Sequence, residues 1–205
     1  MKLYGHPMST CTRKVLTTLA EKGAEAEFVL VDLMKGEQKQ PENLARQPFG
    51  RVPALDDGGF WLYESRAIVR YLDEKLAGPK LQPSDPKERA LMEQWTSVEY
   101  SYFSGPAMKI VFELLFHKMA GKAPDMDIVK AAREQLGPVL DIADKALVKQ
   151  DFFGGKTFSL ADITWMPYVQ YLFAAEQGDL ITSRAGTKAW WERVSTRPSW
   201  KKVAG

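Results

Sequence analysis

Pro48-Phe49-Gly50-Arg51-Val52-Pro53-Ala54-Leu55-Asp56-Asp57-Gly58-Gly59-Phe60-Trp61-Leu62-Tyr63-Glu64-Ser65-Arg66-Ala67-Ile68 is the stretch whose reading decides the fold. Pro53 stands directly before an apolar run, and a residue with no N–H for a sheet ladder belongs at a strand's first position. X-Pro bonds are the ones that adopt the cis form, so Val52-Pro53 is a candidate turn whose backbone faces a ligand. Asp57-Gly58-Gly59 is a hairpin signal between two short apolar runs. Glu64-Ser65 then opens a helix in which Ala67, Ile68, Tyr71 and Leu72 recur at helical spacing. A serine hydroxyl beside the free N–H groups and positive dipole end of a helix start makes a seat for a carboxylate. Read from these residues alone, the stretch is a hairpin and a capped helix, and a ligand role stays open.

Working outward, Lys2 to Gly5 reads as a short strand and Gly5 to Thr10 as a loop. A helix follows with Val15, Leu16 and Leu19 on one face and Gly23 as its stop. Phe28 to Leu33 reads as a second strand, apolar enough to be buried on both faces. Asp32 to Gln40 is a polar loop, and Pro41 starts a short helix. Strand, helix, strand at this spacing calls for a parallel pair with a right-handed crossover. The order βαβ-ββα matches a thioredoxin-like domain over residues 1–77. Gly78 to Asp85, with Pro79 and Pro83, is the expected linker.

From Pro86 the pattern is helical, giving an α-helical bundle over residues 86–205. Leu91, Trp95, Val98 and Tyr102 share a face, and Gly105-Pro106 is expected to kink or break that helix. Met108, Val111, Phe112, Leu115 and Phe116 resume the pattern. Asp125 to Val148 is another helix. Ser159 and Asp162 form a capping box read as structural. Trp190, Trp191 and Trp200 are read as helix packing. The fold class is therefore α/β followed by all-α.

Composition excludes several classes. The 205 residues are 45% hydrophobic and 26% charged with a net charge of +2, an ordinary globular balance with basic and acidic residues interspersed along the chain. No nucleic-acid partner is expected. One cysteine allows no internal disulfide, and the start carries no leader-like apolar segment. The most apolar run, Ile110 to Phe116, is short and contains Glu113, so no membrane span is expected. The expected compartment is the cytoplasm. His6 and His117 stand far apart with no second ligand at metal spacing, so no metal is expected.

The Pro-Phe-Gly-x-Val-Pro-Ala-Leu loop followed by Glu-Ser-Arg-Ala-Ile resembles the glutathione transferase family, most of all its phi-type (plant-like) branch. The Gly5-His6-Pro7-Met8-Ser9-Thr10-Cys11-Thr12-Arg13 segment is similar to that branch's serine-type segment. The resemblance implies glutathione as co-substrate, conjugation to small hydrophobic electrophiles with a possible peroxidase activity, and a homodimer. It implies a cis Val52-Pro53 bond, pairing of the Val52 backbone with the cysteinyl part of glutathione, and capture of its γ-glutamyl end by Glu64 and Ser65. Gly36-Glu37-Gln38-Lys39 is similar to a loop that holds the glycyl carboxylate, with Gln38 where the family has histidine. Arg51 stands where the family usually has glutamine. The acceptor pocket implied by the resemblance nominates Met8, Met34, Phe103, Phe112 and Phe116, whose spacing is equally that of plain core.

Ser9 is the candidate catalytic residue, and the resemblance gives it the role of activating glutathione. The residues alone also fit a plain N-cap, a role for which Thr10 competes. The size of the task is modest. Lowering a free thiol from about 8.5 to ~6.5 takes roughly 2.7 kcal/mol. A hydrogen bond to a charged acceptor supplies about 1.5–3 kcal/mol, and a helix N-terminus about 0.3–1 kcal/mol more. Arg13, one turn into the helix, either adds positive potential or is a solvated arginine. Cys11 lies two residues from Ser9, a step that points away on a helix, and reads as a small buried residue behind the site. Two other functions stay open: a Cys11-dependent glutathione thiol-disulfide oxidoreductase, and a non-catalytic carrier of hydrophobic ligands.

Overall fold

Four strands form one sheet in the order β2-β1-β3-β4, from β1 (Lys2–Gly5), β2 (Glu27–Leu30), β3 (Ala54–Asp57) and β4 (Phe60–Tyr63). β1 runs parallel to β2 and antiparallel to β3, and β3 is antiparallel to β4. The expected βαβ-ββα order is the observed one. Leu3, Leu55 and Leu62 stand opposite one another across β1, β3 and β4, so they share a face. α2 (Pro41–Leu44) is the short helix expected at Pro41, and α1 (Thr10–Glu21) and α3 (Ser65–Lys75) pack together and bury Val15, Leu19, Ile68, Val69 and Leu72 with Leu3 and Leu55. Tyr4 and Trp61 lie on the other face, their rings 5.3 Å apart, with the Arg46 guanidinium 4.3 Å over Tyr4.

β2 departs from the expectation of a strand over Phe28–Leu33 buried on both faces. It ends at Leu30, and Phe28 and Leu30 remain 39% and 56% exposed. The reason is sheet order: β2 is an edge strand, and its apolar residues lie beyond the main cover of the helices. The turn at the other end is as expected, with Gly58 and Gly59 at φ +64° and +96°, the left-handed pair of a tight hairpin. Asp57 beside it accepts from both the Tyr71 hydroxyl and the Lys75 ammonium. Lys75 first, then Tyr71, holds the Asp57 carboxyl below its ordinary value. A depressed carboxylate contributes stability that is complete above the ordinary value of 3.8 and is lost as pH falls below it. Urea melts of Asp57→Asn should therefore trail the parent at neutral pH and converge with it below that value; a constant gap into strong acid would refute this.

The computed structural model describes residues 1–204. By compactness the chain divides into residues 1–81 with the segment from 198, and residues 82–197. The expected division into 1–77, 78–85 and 86–205 is corrected at its far end, because α10 (Pro198–Ala204) packs on α1 and buries Trp200. In this first unit a fully buried ion pair joins Lys22 to Asp73 at 3.0 Å. The Lys22 Nζ also donates to the Pro79 carbonyl at 2.8 Å, and Asp73 accepts the Leu81 N–H at 2.9 Å. The ends of α1 and α3 are thus tied to the chain that leaves them.

The helices of the second unit are α4 (Pro86–Val98), α5 (Ser104–Val111), α6 (Met126–Leu147), α7 (Leu160–Ala174), α8 (Asp179–Thr182) and α9 (Ala185–Ser195), with a β-bridge of Phe152 to Gly155 between α6 and α7. Gly105-Pro106 does not break the chain's helical course. A π turn over Glu99–Phe103 precedes it, with the Ser104 N–H reaching back to the Glu99 carbonyl. The wider turn accommodates a residue that has no N–H and crowds the carbonyl four residues back. α7 is buried on nearly every side. Its Trp165 stacks between Phe103 at 4.2 Å and Phe153 at 4.4 Å, and its indole N–H donates to the Trp95 carbonyl. Among the described residues no helix is long and apolar enough to cross a membrane.

Candidate functional site

The sheet register brings the predicted residues to one end of the first unit. Gly5 ends β1 opposite Leu30, the last residue of β2, so the loops His6–Ser9 and Val31–Lys39 leave from the same edge. Tyr4 stands opposite Ala54, and Ala54 opposite Tyr63, so Val52-Pro53 enters and Glu64-Ser65 leaves at that edge as well. Four segments far apart in sequence converge there because two are parallel strand ends and two belong to an antiparallel hairpin.

Ser9 is the N-cap of α1, with extended backbone at φ −76° and ψ 123°. Its Oγ accepts the Thr12 N–H at 3.2 Å, so the capping reading is realised. A hydroxyl has one proton and two lone pairs. The cap uses a lone pair, which leaves the proton of this half-buried side chain to donate. The loop before it is tied in several places. The Ser9 N–H donates to the His6 carbonyl at 2.9 Å, the Met8 N–H to His6 Nδ1 at 3.2 Å, and the His6 N–H to Thr12 Oγ1 at 3.3 Å. Arg13, expected as a source of potential or as a solvated side chain, donates from Nε to the Pro7 carbonyl at 2.8 Å. Cys11, expected to be buried, is half-buried, while its neighbours Thr10 and Thr12 are buried.

The other segments are shaped by their own side chains. Asp32 Oδ1 accepts the Met34 and Lys35 N–H groups at 2.9 and 3.2 Å, and Glu37 accepts the Asp32 N–H at 2.7 Å. The Lys35 backbone N–H, then its ammonium, holds the Asp32 carboxyl below its ordinary value. This loop carries Gly36, at φ +73°, then Gln38 and the exposed Lys39. Gln38 Oε1 is buried without a hydrogen-bond partner among the described residues, while its carbonyl accepts from Asn43 Nδ2 at 2.9 Å. The same amide carries an NH2 group, which can donate to a carboxylate.

Arg51 is exposed, and its N–H is held by Gln47 Oε1 at 3.2 Å. The Val52-Pro53 bond is cis, with Val52 half-buried and Pro53 buried. Glu64 is exposed at φ +70° and ψ 108°, a conformation rare for any residue but glycine. Such positions cost about 1–3 kcal/mol and gather at ligand sites. Nothing in the sequence announced this strain. Ser65 follows it, buried at the first turn of α3.

The five residues nominated for a hydrophobic pocket are placed unequally. Met8 is half-buried in the Ser9 loop, and Met34 is 89% exposed. In the second unit Phe112 is 51% exposed and meets Phe116 edge to face at 5.2 Å, and Phe116 meets Tyr171 at 5.7 Å. Phe103 is fully buried, stacked on Trp165 and edge to face with Tyr168, so it belongs to that unit's core. Sequence reasoning overlooked Thr12, whose signal was the hydroxyl three residues after the cap.

Comparison with known proteins identifies the family. The family profile described as glutathione S-transferase, N-terminal domain, matches residues 1–74, and that of the C-terminal domain matches residues 103–198. Glutathione S-transferase F12 of Arabidopsis thaliana is 41% identical over 99% of this chain and 96% of its own length. Glutathione S-transferase PARB of Nicotiana tabacum is 38% identical over 98% and 96%. Among solved structures, glutathione transferase F7 of Populus trichocarpa superposes with a TM-score of 0.94 at 43% identity, covering 99% of this chain and 97% of that one. Glutathione S-transferase I of maize, solved with an atrazine–glutathione conjugate, gives 0.91 at 35% identity over 99% and 95%. With both domain profiles matched and full-length relatives near 40% identity, those relatives being phi-type transferases of plants, this chain belongs to the glutathione S-transferase family.

Proposed function

We propose that the protein conjugates glutathione to hydrophobic electrophiles and that Ser9 holds the reacting thiolate. The observation that carries this is the Ser9 hydroxyl, which caps α1 with its oxygen and keeps its proton to donate, at the edge where the other three segments converge. Glutathione is the co-substrate. Lys39 and Gln38 face its glycyl carboxylate, the Val52 backbone its cysteinyl part, and Glu64 with Ser65 its γ-glutamyl end. Arg51 and Pro53 border the same seat. The thiol proton leaves to solvent, and the Ser9 O–H and the start of α1 stabilise the anion that remains. The thiolate's electron pair forms the new carbon–sulfur bond, and the leaving group departs with the pair it shared with that carbon. With an organic hydroperoxide the same attack on oxygen breaks the O–O bond. It yields an alcohol and an oxidised glutathione sulfur that a second glutathione resolves to the disulfide.

The test is conjugation to an aryl halide, with the thiolate absorbance of bound glutathione recorded for the parent, Ser9→Ala and Cys11→Ser. The maize relative's atrazine conjugate suggests chlorinated heteroaromatics as a first acceptor series. The cytoplasm is the compartment this chemistry fits. We also assign a homodimer, supported by exposed aromatic side chains: Phe49 is 69% exposed, and its ring meets Tyr63 beside half-covered Trp61. Light scattering should give twice the chain mass of 23.1 kDa, and Phe49→Asp should shift it toward the single chain; a parent that runs as a monomer sinks this assignment.

A further inference from the structure

We propose that Thr12 is a positioning residue for the thiolate, because it holds both ends of the loop that presents Ser9; the inference rests on the reading of Ser9 above. Thr12 is fully buried. Its N–H donates to Ser9 Oγ at 3.2 Å, and its Oγ1 accepts the His6 N–H at 3.3 Å. One residue therefore grips the loop's first backbone N–H and its last side chain. Of the remaining ties, the Ser9 N–H to the His6 carbonyl joins the loop's two ends through the backbone, and those from Arg13 to the Pro7 carbonyl and from Met8 to His6 Nδ1 hold its middle; none reaches the Ser9 hydroxyl.

Gly5 shows how closely Thr12 is seated. A methyl group at position 5 would lie 2.6 Å from Thr12 Cγ2 and 2.9 Å from its Oγ1. The end of β1 thus needs glycine so that the Thr12 side chain can stand against it. A lone pair of Ser9 Oγ is taken by a backbone N–H that the helix cannot move. The direction of its O–H then depends on where the loop from His6 to Ser9 sits, and Oγ1 of Thr12 sets that. Rigid support of this kind keeps a donor within the narrow geometry a charged acceptor requires.

Thr12→Val keeps the shape, the methyl packing and the N–H to Ser9, and removes only the acceptor for His6. The expected result is a pH profile of kcat/KM, and a thiolate absorbance of bound glutathione, both displaced upward by about one pH unit, or roughly tenfold less thiolate below the midpoint. KM for glutathione should stay near the parent value, and Thr12→Ser should restore the profile. Gly5→Ala, which pushes on the same side chain from outside, should move the profile in the same direction. A folded Thr12→Val with the parent's pH profile overturns the inference, even if its Tm is lower. Should Thr12→Val fail to fold, an unshifted profile in Gly5→Ala overturns it. If Ser9→Ala itself keeps the thiolate, the Ser9 reading has failed; if Ser9→Ala loses it and Thr12→Val does not, only the role of Thr12 falls.

Discussion

Ser9→Ala is expected to lower kcat/KM for conjugation by about 10- to 100-fold at neutral pH, the loss of one hydrogen bond to an anion at about 1.5–3 kcal/mol. The bound thiol should return toward the ordinary value of about 8.5, removing the thiolate absorbance in step with turnover. The same substitution deletes the cap on the Thr12 N–H, so a stability loss of about 1 kcal/mol should accompany it. Ser9→Asp separates the two effects. An aspartate caps a helix as well as serine does, but its charge opposes the thiolate, so activity should fall while Tm holds. Cys11→Ser should leave both readouts near the parent. If instead Ser9→Ala retains thiolate and turnover while Cys11→Ser abolishes activity, the chemistry is thiol redox at Cys11.

Asp162→Ala is expected to be the most destabilising single change, by about 4–5 kcal/mol, from three buried N–H donors left without an acceptor. One carboxylate oxygen accepts the Phe153 N–H at 2.9 Å and the Trp190 indole N–H at 2.8 Å. The other accepts the Ser159 N–H at 2.8 Å and its hydroxyl at 3.0 Å. Burial pushes the carboxyl above its ordinary value, while these donors pull it back. Asp162→Asn keeps an oxygen for Phe153 and Trp190 but presents its NH2 to the Ser159 N–H, so it should lose less than alanine and more than half as much. Equilibrium urea melts read both, with Trp190 fluorescence reporting the local change. A loss under about 1 kcal/mol for Asp162→Ala would show that the capping box is ornamental to this unit's stability.

Ser159 and Asp162 three residues apart before an apolar run were enough to place the start of α7, because a capping box is a local device. That the same carboxylate also receives Trp190, 28 positions onward, was invisible, since a contact between two helices depends on how their faces meet. Phe103 shows the converse. Its helical spacing fits a pocket wall or a core equally, and only stacking on Trp165 decides for core.

By itself the sequence determined the order of strands and helices, the tight hairpin at Gly58-Gly59, the capped starts of α1 and α7, and the family. Each of these is written in residues that are neighbours or a few positions apart, where backbone preferences and side-chain caps act. Tertiary structure alone decided that β2 is an edge strand with exposed apolar residues, that the last helix packs on α1, that Lys22 and Asp73 meet buried, that Glu64 is held at positive φ, and that Thr12 grips the Ser9 loop. Those depend on register and on which surfaces exclude water together. Both are set by the sum of long-range packing and by no residue's own preference.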